Sequence, residues 1–91
     1  MKELNKIYEQ DCIEFMKDME EESIDLIIAD PPYNLNKDFG KSSSRWNSLE
    51  DWLTWSKEWL DESIRILKPT GSIFVYGIHH YLCYLQVHLY E

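Results

Sequence analysis

The feature that most constrains this chain is the run from Ser23 to Ala29, SIDLIIA, together with what stops it: Asp30, Pro31 and Pro32. The run is short, β-branched, and closes on four apolar positions in succession. A strand with one wet face alternates apolar and polar residues, whereas a parallel strand covered on both faces reads as a continuous apolar run. Residues 23–29 therefore predict a buried parallel strand. It cannot continue as a ladder beyond Ala29, because two consecutive prolines donate no N–H and hold φ near −65°. The strand ends on a carboxylate, followed by a stiff, extended backbone whose carbonyls are not committed to a ladder.

The flanking segments fix the fold class. Residues 5–10 are a short strand candidate. Asp11, with Glu14 three residues on, reads as a helix N-cap and its capping-box partner. Ile13, Met16 and Met19 recur at helical spacing behind that cap, and Glu20–Glu22 form a solvated turn. Ser48 caps a second helix, with Asp51 in the box position. The apolar stripe of this helix is Leu49, Trp52, Leu53, Ser56, Trp59, Leu60, Ile64 and Leu67. Lys68–Gly71 (KPTG) breaks it. Residues 72–77, SIFVYG, form a second buried strand, and HHYLCYLQVHLYE a last helix. The order β-α-β-loop-α-β-α means an α/β fold, a parallel sheet with flanking helices. Ninety-one residues suffice for one small domain, residues 1–91.

Composition narrows the functions. The net charge is −8, which argues against a free-standing basic nucleic-acid binder, since phosphate affinity comes mostly from Lys and Arg. The loop that follows the prolines has the opposite sign: Lys37, Lys41 and Arg45 stand against Asp38 alone. These three cations are candidate phosphate contacts, set against the simpler reading of a solvated loop. Cys12 and Cys83 make neither a CxxC pair nor a disulfide framework, which suits a reducing, cytoplasmic location. No apolar run approaches the roughly 18 residues of a membrane span, and MKELNKIYEQ is not a signal peptide. No metal site is expected: His79 and His80 are adjacent and point to different helix faces. Residues 38–40 spell DFG, but no lysine-bearing strand or HRD accompanies them. Trp46, in the loop, is a candidate for touching DNA or closing a pocket.

Asp30 falls at the carboxyl end of a predicted parallel strand, where open α/β sheets bind ligands. Its carboxylate can accept one proton of a planar amino group. The Pro31 carbonyl can accept the other, and Pro32 stiffens the placement. Tyr33 offers a plate for stacking, worth about 1–3 kcal/mol per base. Two acceptors and a plate describe a pocket for an extruded nucleobase bearing an exocyclic amine. A strand-ending turn with a packed tyrosine is the bland alternative. The context of a buried strand, a long loop and a second parallel strand weighs against it.

SIDLIIADPPYNL resembles the catalytic motif of the amino-methylating DNA methyltransferases, which methylate adenine N6 or cytosine N4. QDCIEFM is similar to the stretch that precedes this motif, and WLDESIRILKPTGSIFVYG to the helix and strand that follow, so the resemblance covers nearly the whole chain. It implies a partial Rossmann-like fold, S-adenosyl-L-methionine as methyl donor, and double-stranded DNA as partner, with a cognate restriction endonuclease as a further partner. It assigns Asp30, Pro31, Pro32 and Tyr33 to the base. Asp11, Cys12 and Asp30 fall at the cofactor, with Asp11 equally well explained as a cap. The acid of DPPY leans towards adenine N6. The early position of the motif is similar to that of the permuted group, which places the catalytic half first.

The chain departs from the family at one point. Its three glycines, Gly40, Gly71 and Gly77, make no GxG cofactor loop, and nothing in it matches a target-recognition region. The expectation is an N-terminal catalytic part that does not methylate DNA alone. Its two strands would pair with each other and leave an apolar edge open. Two readings compete: an RNA or protein-amide methyltransferase with a related motif, and a non-catalytic remnant or binding module.

Overall fold

The computed structural model describes residues 3–32, 48–77 and 79–90. In chain order the elements are α1 (Cys12–Lys17), β1 (Ile24–Ala29), α2 (Leu49–Ile66), β2 (Leu67–Val75) and α3 (His79–Tyr90). β1 and β2 pair in parallel as a two-stranded sheet. This is the α/β arrangement expected from the alternation of strand and helix.

Both caps form as the sequence predicts. Asp11 Oδ1 accepts from the backbone N–H groups of Ile13 (3.0 Å) and Glu14 (3.1 Å), and Ser48 Oγ accepts from Asp51 N at 3.2 Å. Each satisfies donors that the first helical turn leaves without intrahelical partners. α2 is the central element. It buries Trp52, Ser56, Trp59, Leu60, Ser63 and Ile66, a repeat of three and four that keeps one face turned to the core. Arg65, near its end, ties α1 down. The guanidinium donates to the Met16 and Met19 carbonyls at 2.6 and 2.9 Å, and to Glu62 at 2.8 Å. A cation thereby satisfies the Met16 carbonyl in the last turn of α1 and the Met19 carbonyl just beyond it.

The core is a single cluster of Ile13, Trp52, Trp59, Leu60 and Leu85, with Ala29 and Val75 packed against it from the sheet. All three helices thus share one core on one face of the sheet. In register, Ile27 lies beside Ile73 and Ala29 beside Val75, while Ile28 lies beside Phe74. Side chains alternate across a strand, so the other face carries Leu26, Ile28, Phe74 and Tyr76, each between 53% and 62% exposed.

Four expectations are corrected. The parallel strand expected over residues 23–29 forms over Ile24–Ala29, but it is covered on one face only, because every described helix packs on the same side. Residues 5–10 form no strand. They have no neighbour among the described residues to supply a ladder, Ile7 is 96% exposed, and the segment turns back on α1, where the Tyr8 and Phe15 rings sit 5.0 Å apart. The KPTG stretch is not a gap between helix and strand: α2 passes directly into β2 at Leu67. Leu67 pairs with Ile24, but Ser72 pairs with Leu26, so Lys68–Gly71 bulge out opposite Asp25. Finally, the far end of the α2 stripe turns away from the one predicted. Ile64 is exposed and Ser63 and Ile66 are buried instead, as a strict 3.6-residue period requires.

Candidate active site

The last rung of the ladder is the Tyr76 N–H donating to Ala29 O at 2.9 Å. Immediately beyond it the chain presents Asp30, exposed, then Pro31, buried, then Pro32, exposed. Neither proline can extend the pairing. The Pro32 carbonyl is nonetheless engaged: it accepts from Trp52 Nε1 at 2.9 Å. Trp52 is 1% exposed, and its ring meets Tyr81 of α3 at 5.3 Å with the planes tilted by 55°. The proline segment is therefore pinned to α2 by a buried side-chain donor.

Beside it lies a cleft of about 340 Å³. Its walls are Cys12 and Met16 from α1, the consecutive residues Ile27–Pro32, and Trp55, Trp59 and Ser63 from α2. Consecutive strand residues point to opposite faces, so a cleft lined by Ile27, Ile28 and Ala29 together runs along the strand's edge. That edge is the one away from β2, since β1 pairs with β2 alone among the described residues. Trp55, Trp59 and Ser63 stand at i, i+4 and i+8, one face of the helix. The two indoles are 6.3 Å apart. The volume falls within the range of small-molecule sites, and the lining is mostly apolar with a few polar groups, as such sites usually are.

The structure brings some predicted residues together and separates others. Asp30, Pro31, Pro32 and Cys12 all line the cleft. Asp11 does not. Its Oδ1 is spent on the N-terminus of α1, so its observed role is the cap. Tyr33, Lys37, Lys41, Arg45 and Trp46 lie outside the described residues. Sequence reasoning did not single out Trp55, and it assigned Trp59 to the core alone, although their spacing with Ser63 was visible. No group of three His, Cys, Asp or Glu side chains able to hold a metal occurs among the described residues. His88 instead bridges α3 to α2, its Nε2 lying 2.7 Å from Asp61 Oδ1. No helix among the described residues is long and apolar enough to cross a membrane.

A second hollow, about 410 Å³, lies between residues 3–8, the end of α1 and the start of β1. It sits at the amino end of the strand and contains none of the motif residues. The carboxyl end is where parallel sheets place their ligands, so the edge cleft is the candidate site.

Comparison with known proteins bears on this cleft. A DNA methylase family model (N6_N4_Mtase) matches residues 24–90, from the start of β1 through α3. The type II methyltransferase M.BamHI of Bacillus amyloliquefaciens is 42% identical over 87 residues, covering 96% of this chain and 21% of the relative. M.HpaI of Haemophilus parainfluenzae is 46% identical over 74 residues, covering 81% and 23%. M.BglII of Bacillus subtilis is 44% identical over 71 residues, covering 78% and 19%. The chain spans about a fifth of the length of these relatives.

Proposed function

The chain belongs to the N6/N4 DNA methylase family, and from that membership we propose that it supplies the base-holding corner of a DNA amino-methyltransferase, with adenine N6 as the target. One observation carries the proposal: Asp30 and Pro31 stand side by side at the carboxyl end of β1, on the rim of an apolar cleft. Asp30 accepts one proton of the extruded base's amine and the Pro31 carbonyl the other. Both acceptors draw the nitrogen lone pair out of the ring's conjugation and aim it into the cleft. Tyr33 stacks on the base. Lys37, Lys41 and Arg45 contact phosphates of double-stranded DNA.

The cleft suits one wall of a site for S-adenosyl-L-methionine. Cys12, Met16 and the Trp55–Trp59 face are apolar or polarisable surface for an adenosyl group, with Asp30 at the mouth. When bound, that cofactor supplies an electrophilic methyl group on a sulfonium. The chain's own residues orient the amine and exclude water from it. Asp11 contributes by setting the start of α1, and so the position of Cys12. Because the chain has no GxG loop, the other wall comes from elsewhere, and residues 1–91 alone do not transfer methyl groups. The protein acts in the cytoplasm, in the kind of setting where a type II methyltransferase is paired with a cognate endonuclease.

The test is nucleoside analysis by mass spectrometry. DNA is incubated with the protein that carries these 91 residues and with labelled S-adenosylmethionine, then digested. N6-methyldeoxyadenosine is the expected product. N4-methyldeoxycytidine would move the target to cytosine, and label in RNA or protein but not in DNA would overturn the proposal.

A further inference from the structure

Two prolines in succession leave two carbonyls without ladder partners, and nothing in their chemistry says which one a base amine should meet. The structure separates them. The Pro32 carbonyl is occupied by the indole N–H of Trp52 at 2.9 Å, and Trp52 lies twenty residues further along the chain on a different element. The donor itself is fixed: Trp52 is 1% exposed, sits in the shared core, and rests against Tyr81. A buried indole N–H almost always finds an acceptor. Here it takes one from the motif rather than from the core. Trp59 makes the contrast, because its Nε1 is buried on the same helix with no partner among the described residues.

We infer that Trp52 is a positioning residue for methyl transfer: by engaging the Pro32 carbonyl it withdraws that acceptor from the site and leaves Pro31 as the backbone acceptor presented to the base amine. The role rests on the base-holding assignment of the previous subsection. It follows from the bond's placement. The donor on the second carbonyl anchors Pro32 to α2, the last ladder bond anchors Ala29 to β2, and φ is already set at both prolines by their rings. The short stretch between, with the Pro31 carbonyl in it, is then tethered at both ends. Packing alone would hold the segment near α2 but would not choose between the carbonyls.

The experiment uses the 91-residue chain, labelled with ¹³C and ¹⁵N, titrated with 2′-deoxyadenosine and followed by carbon-detected carbonyl–nitrogen correlation, which reports prolyl positions that lack an N–H. In the wild-type chain the Pro31 carbonyl shifts on titration, the Pro32 carbonyl does not, and the Trp52 indole proton stays protected from exchange. Trp52→Phe keeps a ring against Tyr81 and removes the donor. It should weaken the nucleoside by roughly fivefold, the effect of losing one ordinary hydrogen bond, and both carbonyls should then respond. Ile66→Val, a mild core change at the far end of α2, should lower stability and leave the carbonyl pattern intact.

If Trp52→Phe binds as tightly as wild type with Pro31 alone responding, the positioning role is wrong while the base site stands. If Ile66→Val reproduces the Trp52→Phe pattern, the effect is general loosening and the role is equally wrong. If the wild-type chain shows no response at Asp30 or Pro31 to 2′-deoxyadenosine, the base-holding assignment itself falls and Trp52 falls with it.

Discussion

At the residue scale, four side chains of α2 bury polar atoms, and they fare differently. Trp52 delivers its N–H to Pro32 and the Ser63 hydroxyl donates to the Trp59 carbonyl at 2.7 Å, whereas Ser56 Oγ and Trp59 Nε1 are buried with no partner among the described residues. An unpaired buried hydroxyl keeps its desolvation cost and returns nothing. Ser56→Ala should therefore stabilise the chain by about 0.5–1 kcal/mol, helped by alanine's helix propensity, and a urea melt with an earlier midpoint would show that the hydroxyl has a partner. Asp30 is the opposite case, an exposed polar group at the strand's end to which the proposed function gives a part in the reaction. In the protein that carries this chain, Asp30→Ala should lower the transfer rate by about 100-fold or more, the scale of removing one positioned electrostatic group, with a smaller effect on cofactor affinity. Equal kcat would remove Asp30 from the chemistry. Replacing Lys37, Lys41 and Arg45 with Gln should flatten the salt dependence of DNA binding, by a slope of about 0.9 for each phosphate no longer neutralised. An unchanged slope would make that loop ordinary surface.

At the element scale, the passage from α2 to β2 is the least obvious feature. The helix gives way to strand at Leu67 with no intervening turn, and the four residues that look like a break are accommodated as a bulge. Gly71 makes that bulge possible. A Cβ there would stand 2.9 Å from the Asp25 carbonyl and 2.8 Å from Leu67 Cδ1. The carbonyl belongs to the neighbouring strand and cannot swing away. Gly71→Ala should cost about 1–3 kcal/mol, the range of overpacking. Gly77→Ala, which meets only the side-chain end of Leu82, should cost less. Thermal melts of the two variants compare them directly, and a milder effect at Gly71 would mean the bulge is looser than it stands here. The caps at Asp11 and Ser48 were legible in the sequence because each joins residues two or three apart. The bulge was not, because it is set by pairing with residues more than forty positions earlier.

At the scale of the whole molecule, the helices gather on one side of a two-stranded parallel sheet and leave Leu26, Ile28, Phe74 and Tyr76 on the other. Parallel sheets are ordinarily covered on both faces, and an apolar stripe of this kind beside an open strand edge favours association. Replacing Ile28 and Phe74 with Lys should reduce self-association in sedimentation velocity. It should shift stability by no more than about 0.5 kcal/mol per site, as exposed positions usually do. A large loss of stability would show that the face is covered within the chain. The continuous apolar run of residues 23–29 could not reveal this imbalance. It records that both faces suit burial, and which face is buried depends on where the helices pack.

The sequence by itself determined the local chemistry: where β1 must stop, which residues cap the helices, and which acceptors stand at the strand's end. Those features need only proline's missing N–H, short side chains within three residues of a helix start, and the period of apolar positions. Tertiary structure alone decided which side of the sheet the core occupies, that Trp55 and Trp59 wall the cleft, and that Trp52 takes the Pro32 carbonyl rather than leaving it free. Each of these joins elements separated by twenty or more residues. They follow from packing geometry, to which no local pattern is sensitive.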